Sequence, residues 1–272
     1  MSQDKVAKYI EILRVIIICN GKPLTGNQTE ITQLLLVDES MREKLMYKLR
    51  TERGHIQVCY NHKSEEWISL GKTENNLDID SSGFDYFIAF TYLLGDLCKN
   101  RNYKAIEVVK TLIPYNICYS LVINEIYSTK LRQAFSYLIT VLWVDVYPFE
   151  TIPIPSSIKF WEKPNLDRRK ASSVVEKKGE YEELKKRVIE YCHKFEEYQM
   201  YEEEEIKLLN YNLKLQKKMI EFGIASEADI KEIFNILKSL LNTIIRIFQQ
   251  NSDQNISVLS PRSQQLLDRT GI

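Results

Sequence analysis

Histidine occurs only three times in the 272 residues, at 55, 62 and 193. A nucleophile with its base has little material to draw on, and catalysis is not expected. Glycine (9) and proline (7) are also scarce, too few for the many tight turns of a sandwich or barrel. A dominant charge of either sign is missing: 37 lysines and arginines offset 37 aspartates and glutamates. That balance excludes a strong overall field toward nucleic acid, an anionic membrane or a polyanionic substrate. Long hydrophobic runs are absent too. The longest near the N-terminus, Val15 to Cys19, is cut upstream by Glu11 and Arg14, so it is neither a signal peptide nor a membrane span, which needs about 20 apolar residues. The five cysteines, Cys19, Cys59, Cys98, Cys118 and Cys192, lack the spacing of a disulfide framework and suit a reducing compartment such as the cytosol.

What is present is a helical pattern. With 44% apolar residues the chain can bury a sizeable core, and Val6, Tyr9, Ile10, Leu13, Ile16 and Ile17 recur at three- and four-residue spacing up to Asn20-Gly21, which predicts a first helix. Thr25-x-x-Gln28 and Ser40-x-x-Glu43 have the form of capping boxes and predict helices over 27–36 and 40–50. Alternation at Ile56, Val58 and Tyr60 predicts a short extended piece. Helical spacing returns over 84–98, 103–113, 115–127 and 129–146, with Pro114 separating two of these helices. Short helices with broad apolar faces and short connections predict an all-α, armadillo-like helical-repeat solenoid.

Pro148, Pro153, Pro155 and Pro164 interrupt this pattern, and Lys163 to Lys178 holds six basic residues against two acidic. The sequence therefore divides into a helical-repeat region over 1–161, a basic proline-containing linker over 162–179, a long helical hairpin over 180–250 and a polar tail over 251–272. In the hairpin Tyr181, Leu184, Val188, Tyr191, Phe195 and Tyr198 carry heptad spacing, as do Ile230, Ile233, Leu237, Leu240, Ile244 and Ile247. Ser226 is expected to cap the last helix.

Motifs that could carry chemistry are incomplete. Gly71-Lys72-Thr73 ends like a phosphate-binding loop, but Glu66 stands where that loop needs its first glycine. His55, Cys59 and His62 offer at most three ligands from one loop, and Cys192-His193, the other pairing, projects in different directions from a helix. Glu202 to Glu205 reads as a solvated helix face, since a calcium loop needs carboxylates at alternate positions around a glycine. No catalytic, cofactor-binding or metal-binding residue is assigned.

Four segments carry a resemblance. KYIEILRVIIICNGKPLTGNQTEI, Lys8 to Ile31, resembles the opening of the helical homology domain shared by inositol trisphosphate and ryanodine receptors, where a helix is followed by a G-K turn and a glutamine. IQVCYNHK, Ile56 to Lys63, is similar to an alternating stretch of the inositol trisphosphate receptors. LGDLCKNRNYKAIEVVKTLIP, Leu94 to Pro114, resembles their L-x-x-C segment, and Val144-Asp145 falls where a V-D pair follows the next long helix. Asn100-Arg101 departs from the family's glycine-lysine pair, and the C-terminal third is unmatched. The resemblance implies a non-catalytic cytosolic segment of a tetrameric calcium-release channel, at the endoplasmic reticulum or a related calcium store, lying between the ligand-binding end and the pore. Its partners would be other domains or subunits of the channel and proteins bound on the solenoid surface. No cofactor, nucleic acid or membrane span is implied for this segment. A free-standing armadillo-like interaction scaffold is the alternative.

Overall fold

The computed structural model describes residues 6–59, 66–72, 81–146, 172–197 and 202–257. The described residues are mostly helical, with ten α-helices and five short strands. Compact packing divides the chain into two units, Met1–Val188 with Met200–Ala225, and Ile189–Gln199 with Ser226–Ile272.

In the first unit α1 (Ala7–Ile17) ends in a tight hairpin of β1 (Ile18–Cys19) and β2 (Lys22–Pro23). Asn20 and Gly21 at its tip both have positive φ, 48° and 75°, the requirement of a two-residue turn matched to strand twist. Helix α2 (Thr25–Thr32) continues through a π-helical turn at Gln33–Val37 to α3 (Glu39–Leu45). Neither expected capping box forms. Gln28 is buried and turned away from its own helix start, and α3 is capped by Asp38, whose carboxylate accepts from the Met41 N–H at 3.0 Å.

The helix predicted over 40–50 stops at Leu45, and β3 (Lys48–Glu52), β4 (His55–Cys59) and β5 (Ile68–Ser69) form an antiparallel sheet in that order. The reason is a second two-residue turn: Arg53 and Gly54 take φ of 50° and 79°, closing the Glu52–His55 pair. The extended piece expected at 56–60 is thus β4, with Ile56 and Val58 facing the core. Tyr60 lies outside the described residues.

Four helices follow: α4 (Ser81–Cys98), α5 (Tyr103–Leu112), α6 (Tyr115–Ile123) and α7 (Thr129–Ile139), the last extended by a π-helical turn at Thr140–Val144. Pro114 makes the break between α5 and α6, which meet at 77°. Helix α4 sits centrally, packed against α1, α5 and α7. Its Phe87, Phe90, Leu93, Leu94 and Leu97 are fully buried, as are Leu131, Phe135 and Leu138 of α7, and each such side chain contributes about 1.5–3 kcal/mol. Ser128 caps α7 by accepting from the Leu131 N–H. Among the described residues no single helix is long and apolar enough to cross a membrane.

The C-terminal third holds α8 (Ser172–Glu197), α9 (Glu203–Glu221) and α10 (Glu227–Ser257). Residues 162–171 of the basic linker lie outside the described residues, and the stretch from Ser172 onward is the start of α8. Helix α9 packs on α7 within the first unit, where Leu208, Leu215 and Met219 are fully buried. The second unit contains the end of α8 and α10. Ser226 does cap α10: its hydroxyl accepts from the Asp229 N–H and its own N–H is bound by the Asp229 carboxylate. Of the heptad expected in α10, the four members whose side chains are described are only half turned inward, and the side chains of Ile244 and Ile247 lie outside the description. Ile233 and Leu240 are buried together with Ile236, whereas Ile230 and Leu237 are exposed, because α10 carries apolar residues around more of its circumference than one seam can take.

Candidate functional site

Among the described residues of the first unit one carboxylate is buried, Asp96, near the end of α4 at a crossing of three sequence segments. An aspartate in the apolar run Leu93 to Cys98 is costly to bury unless it is paired and hydrogen-bonded. Both oxygens are used. Arg14 of α1 donates from Nε to Oδ2 at 2.7 Å, and the Tyr137 hydroxyl of α7 donates to Oδ1 at 2.8 Å. Burial and the Asp96 charge together hold the Tyr137 phenol well above its ordinary range, so it remains a donor.

Directly after Asp96 the carbonyls at the end of α4 lack intrahelical partners. Gln28, only 4% exposed, fills that place: its Nε2 lies 3.0, 3.1 and 2.9 Å from the carbonyl oxygens of Asp96, Leu97 and Lys99. Lys99 Nζ returns the contact to the Gly21 carbonyl at 2.8 Å, and Asn102 Nδ2 donates to Thr32 Oγ1 at 3.1 Å. The chain then turns through Asn100 and Arg101, both at positive φ (56° and 60°). The turn that glycine favours is therefore made here by two other residues, and Arg101 is anchored by Asp145, donating to its carbonyl at 2.9 Å and its carboxylate at 3.0 Å. Lys218 of α9 meets the same carboxylate at 3.4 Å. Segments far apart in sequence, Lys8–Ile31, Leu94–Pro114 and Val144–Asp145, are thus tied at one polar junction.

Beside the junction lies an open cleft of about 450 Å³, lined among others by Arg14, Tyr92, Lys130, Gln133, Glu204 and Tyr211. Two of its lining rings, Tyr92 and Tyr211, form an aromatic trio with Tyr137, ring centroids 5.9 to 6.1 Å apart, with the Arg14 guanidinium 4.8 Å above the Tyr92 ring. Gln133 Nε2 donates to the Glu204 carbonyl and carboxylate at 2.8 and 2.9 Å. That bond, with a further one from Lys207, holds Glu204 below the ordinary carboxylate value of 4.5. Burial raises the Tyr92 phenol. The cleft therefore presents fixed donors and flat rings; of its three cations Arg14 and Lys207 are paired with carboxylates, and Lys130 acts on Glu204 through its charge.

The motifs singled out in the sequence are described in part, and Thr73 lies outside the described residues. Leu70–Lys72 forms a single helical turn after β5, and a side chain at Gly71 would press on Ile126, 3.2 Å away. Close packing explains that glycine. His55 is exposed and Cys59 buried at opposite ends of β4; His62 lies outside the described residues. Cys192 is buried while the adjacent His193 is exposed and bonded to Glu232 at 2.9 Å. Among the described residues no group of three histidines, cysteines or carboxylates is placed to hold a metal. Glu202 to Glu205 begin α9, where Glu205 accepts from the Glu202 N–H and the acidic charges oppose the helix dipole. Burial pushes the Cys118 thiol up to about 12 and raises Cys98 as well, which keeps both unreactive. Sequence reasoning missed the roles of Gln28 and Asp96. The available signal was a charge inside an otherwise apolar helix.

No family model matches the chain. Over 153 residues, 56% of this chain, it is 28% identical to "Inositol 1,4,5-trisphosphate receptor-like protein A" of Dictyostelium discoideum. The matched part spans about 5% of that protein's length. The chain is thus distantly related to an inositol trisphosphate receptor-like protein.

Proposed function

We propose that the chain is a non-catalytic helical segment of an intracellular calcium-release channel of the inositol trisphosphate receptor-like kind. In this reading it transmits gating motion and offers surface to other channel domains, subunits or proteins on the cytosolic side of a calcium store. The observation that carries the reading is the 28% identity over 153 residues to a protein of that description. The polar junction supports it. Three of the segments that resemble the receptor family meet around Asp96 and Asp145, so the resemblance follows a set of mutual contacts rather than composition. A segment that transmits motion has to move as one body, and the partly buried ion pairs that tie α1 to α4 and the end of α4 to the end of α7 resist internal shear. Stacking of further helices on α1 in the manner of a solenoid belongs to the same reading: Tyr9, Ile12, Val15 and Ile16 are 44–74% exposed on its outer face, which is an apolar end for a helical stack.

The alternative, a free-standing scaffold, draws on that same exposed face. Deleting the segment from its gene in the cell of origin separates the two. The channel reading expects inositol-trisphosphate-evoked release of stored calcium to fall while a luminal dye reports full stores. Unchanged release overturns it, and a changed set of cross-linked protein partners under those conditions favours the scaffold.

A further inference from the structure

The outer face of α10 has no role in the channel reading and does not depend on it. Ile230, Phe234, Leu237 and Leu241 are 41, 66, 42 and 57% exposed, whereas Ile233, Ile236 and Leu240, on the adjoining face, are 1–8% exposed. The exposed four follow a 4-3-4 spacing, and the sequence carries the same spacing on to Ile244 and Phe248. A mean of 3.5 residues is the repeat of a supercoiled seam. Over the 12 positions from Ile230 to Leu241 the exposed seam runs about 17 Å along a straight helix.

The stripe is narrow. Glu232, Asn235, Ser239 and Asn242 occupy positions outside it, so the apolar arc is the two-position seam of a coiled coil rather than the broad face of a helix lying in a membrane surface. Along its free edge stand Lys231 and Lys238, both exposed. Lys231 has an exposed partner in Glu227 at 2.8 Å, and such a surface pair is easily exchanged. The other edge of the seam is the buried face with Ile233 and Leu240. These features define the occupant. A second copy in antiparallel register would set lysine edge against lysine edge. In parallel register the lysines would be directed at Ile233 and Leu240, already buried in their own unit. An acidic edge satisfies the lysines in the way flanking charges select coiled-coil partners.

We propose that α10 is a docking helix for a partner protein's amphipathic helix, one with aliphatic residues at heptad spacing and glutamates or aspartates along its edge. The test uses the full chain and two synthetic four-heptad peptides with leucine seams, one with glutamate and one with lysine at every flanking position, read by fluorescence anisotropy. The glutamate peptide binds at least tenfold more tightly than the lysine peptide. Phe234→Glu abolishes this binding without change in far-ultraviolet circular dichroism, and the surface variant Lys231→Glu/Lys238→Glu inverts the preference. Equal binding of the two peptides, or binding of neither, overturns the proposal. So does concentration-dependent self-association removed by Phe234→Glu in sedimentation, which would assign the face to a second copy. Flotation with phosphatidylserine vesicles lost in the same variant would overturn it in favour of a membrane.

Discussion

Replacing Gln28 tests whether the polar junction holds the first unit together. Its amide has two N–H groups facing three carbonyls at 2.9–3.1 Å, so it makes two full bonds with one of them shared. Gln28→Leu keeps similar bulk but leaves buried carbonyls without a donor, at about 1–3 kcal/mol for each bond lost. The expected cost is about 2–6 kcal/mol, a large part of the roughly 5–15 kcal/mol by which a domain is stable. Gln28→Glu is worse at neutral pH, because a carboxylate donates nothing and sets negative charge against the negative end of the α4 dipole, adding about 0.3–2 kcal/mol. Acidification below the introduced carboxyl's pKa restores one donor, so the Gln28→Glu gap to the parent narrows at low pH and the Gln28→Leu gap does not. Urea unfolding followed by tryptophan fluorescence reads this unit, since Trp67 and Trp143 both belong to it. Both variants unfolding within about 0.5 kcal/mol of the parent would refute the capping argument, because a surface substitution costs no more than that.

Gly95→Ala should destabilise despite the roughly 1 kcal/mol that alanine gains in a helix interior, since its Cβ would sit 2.5 Å from the Tyr137 ring, itself fixed by Asp96; overpacking costs about 1–3 kcal/mol, and a raised urea midpoint would contradict it. Arg53→Gly should stabilise by about 0.5–1 kcal/mol by relieving a left-handed φ of 50° in the β3–β4 turn; a loss of stability would show that Arg53 makes contacts that matter more. Glu204 is held below 4.5 by Gln133 and Lys207, so its stabilisation is present above that value and lost as pH falls through the lower folded-state value. Glu204→Gln should therefore flatten the fall of the urea midpoint between about pH 5 and 3, and an unchanged slope would remove Glu204 from the α7–α9 contact.

Sequence periodicity was enough for the helices at α1, α4, α5, α6 and α7, because burial of one face repeats every 3.6 residues and Pro114 has only one effect on a helix interior. The alternation at β4 was equally plain. Its partner β3 was not, since Lys48 to Glu52 carries little apolar pattern and the turn that creates the strand depends on Arg53 entering a conformation usually left to glycine or asparagine. The helix at 27–36 was legible while the use of Gln28 was not. A glutamine four residues into a helix obeys local capping rules unless a distant helix end offers more acceptors, and only the packing of α2 against α4 supplied them. The same limit applies to α10, whose composition announces a helix but not which apolar stripe turns inward. Local spacing sets what a segment can form. The partners of Asp96, the burial of Gln28 and the exposed seam of α10 were decided by which surfaces long-range packing left in reach, and no window of sequence contains that information.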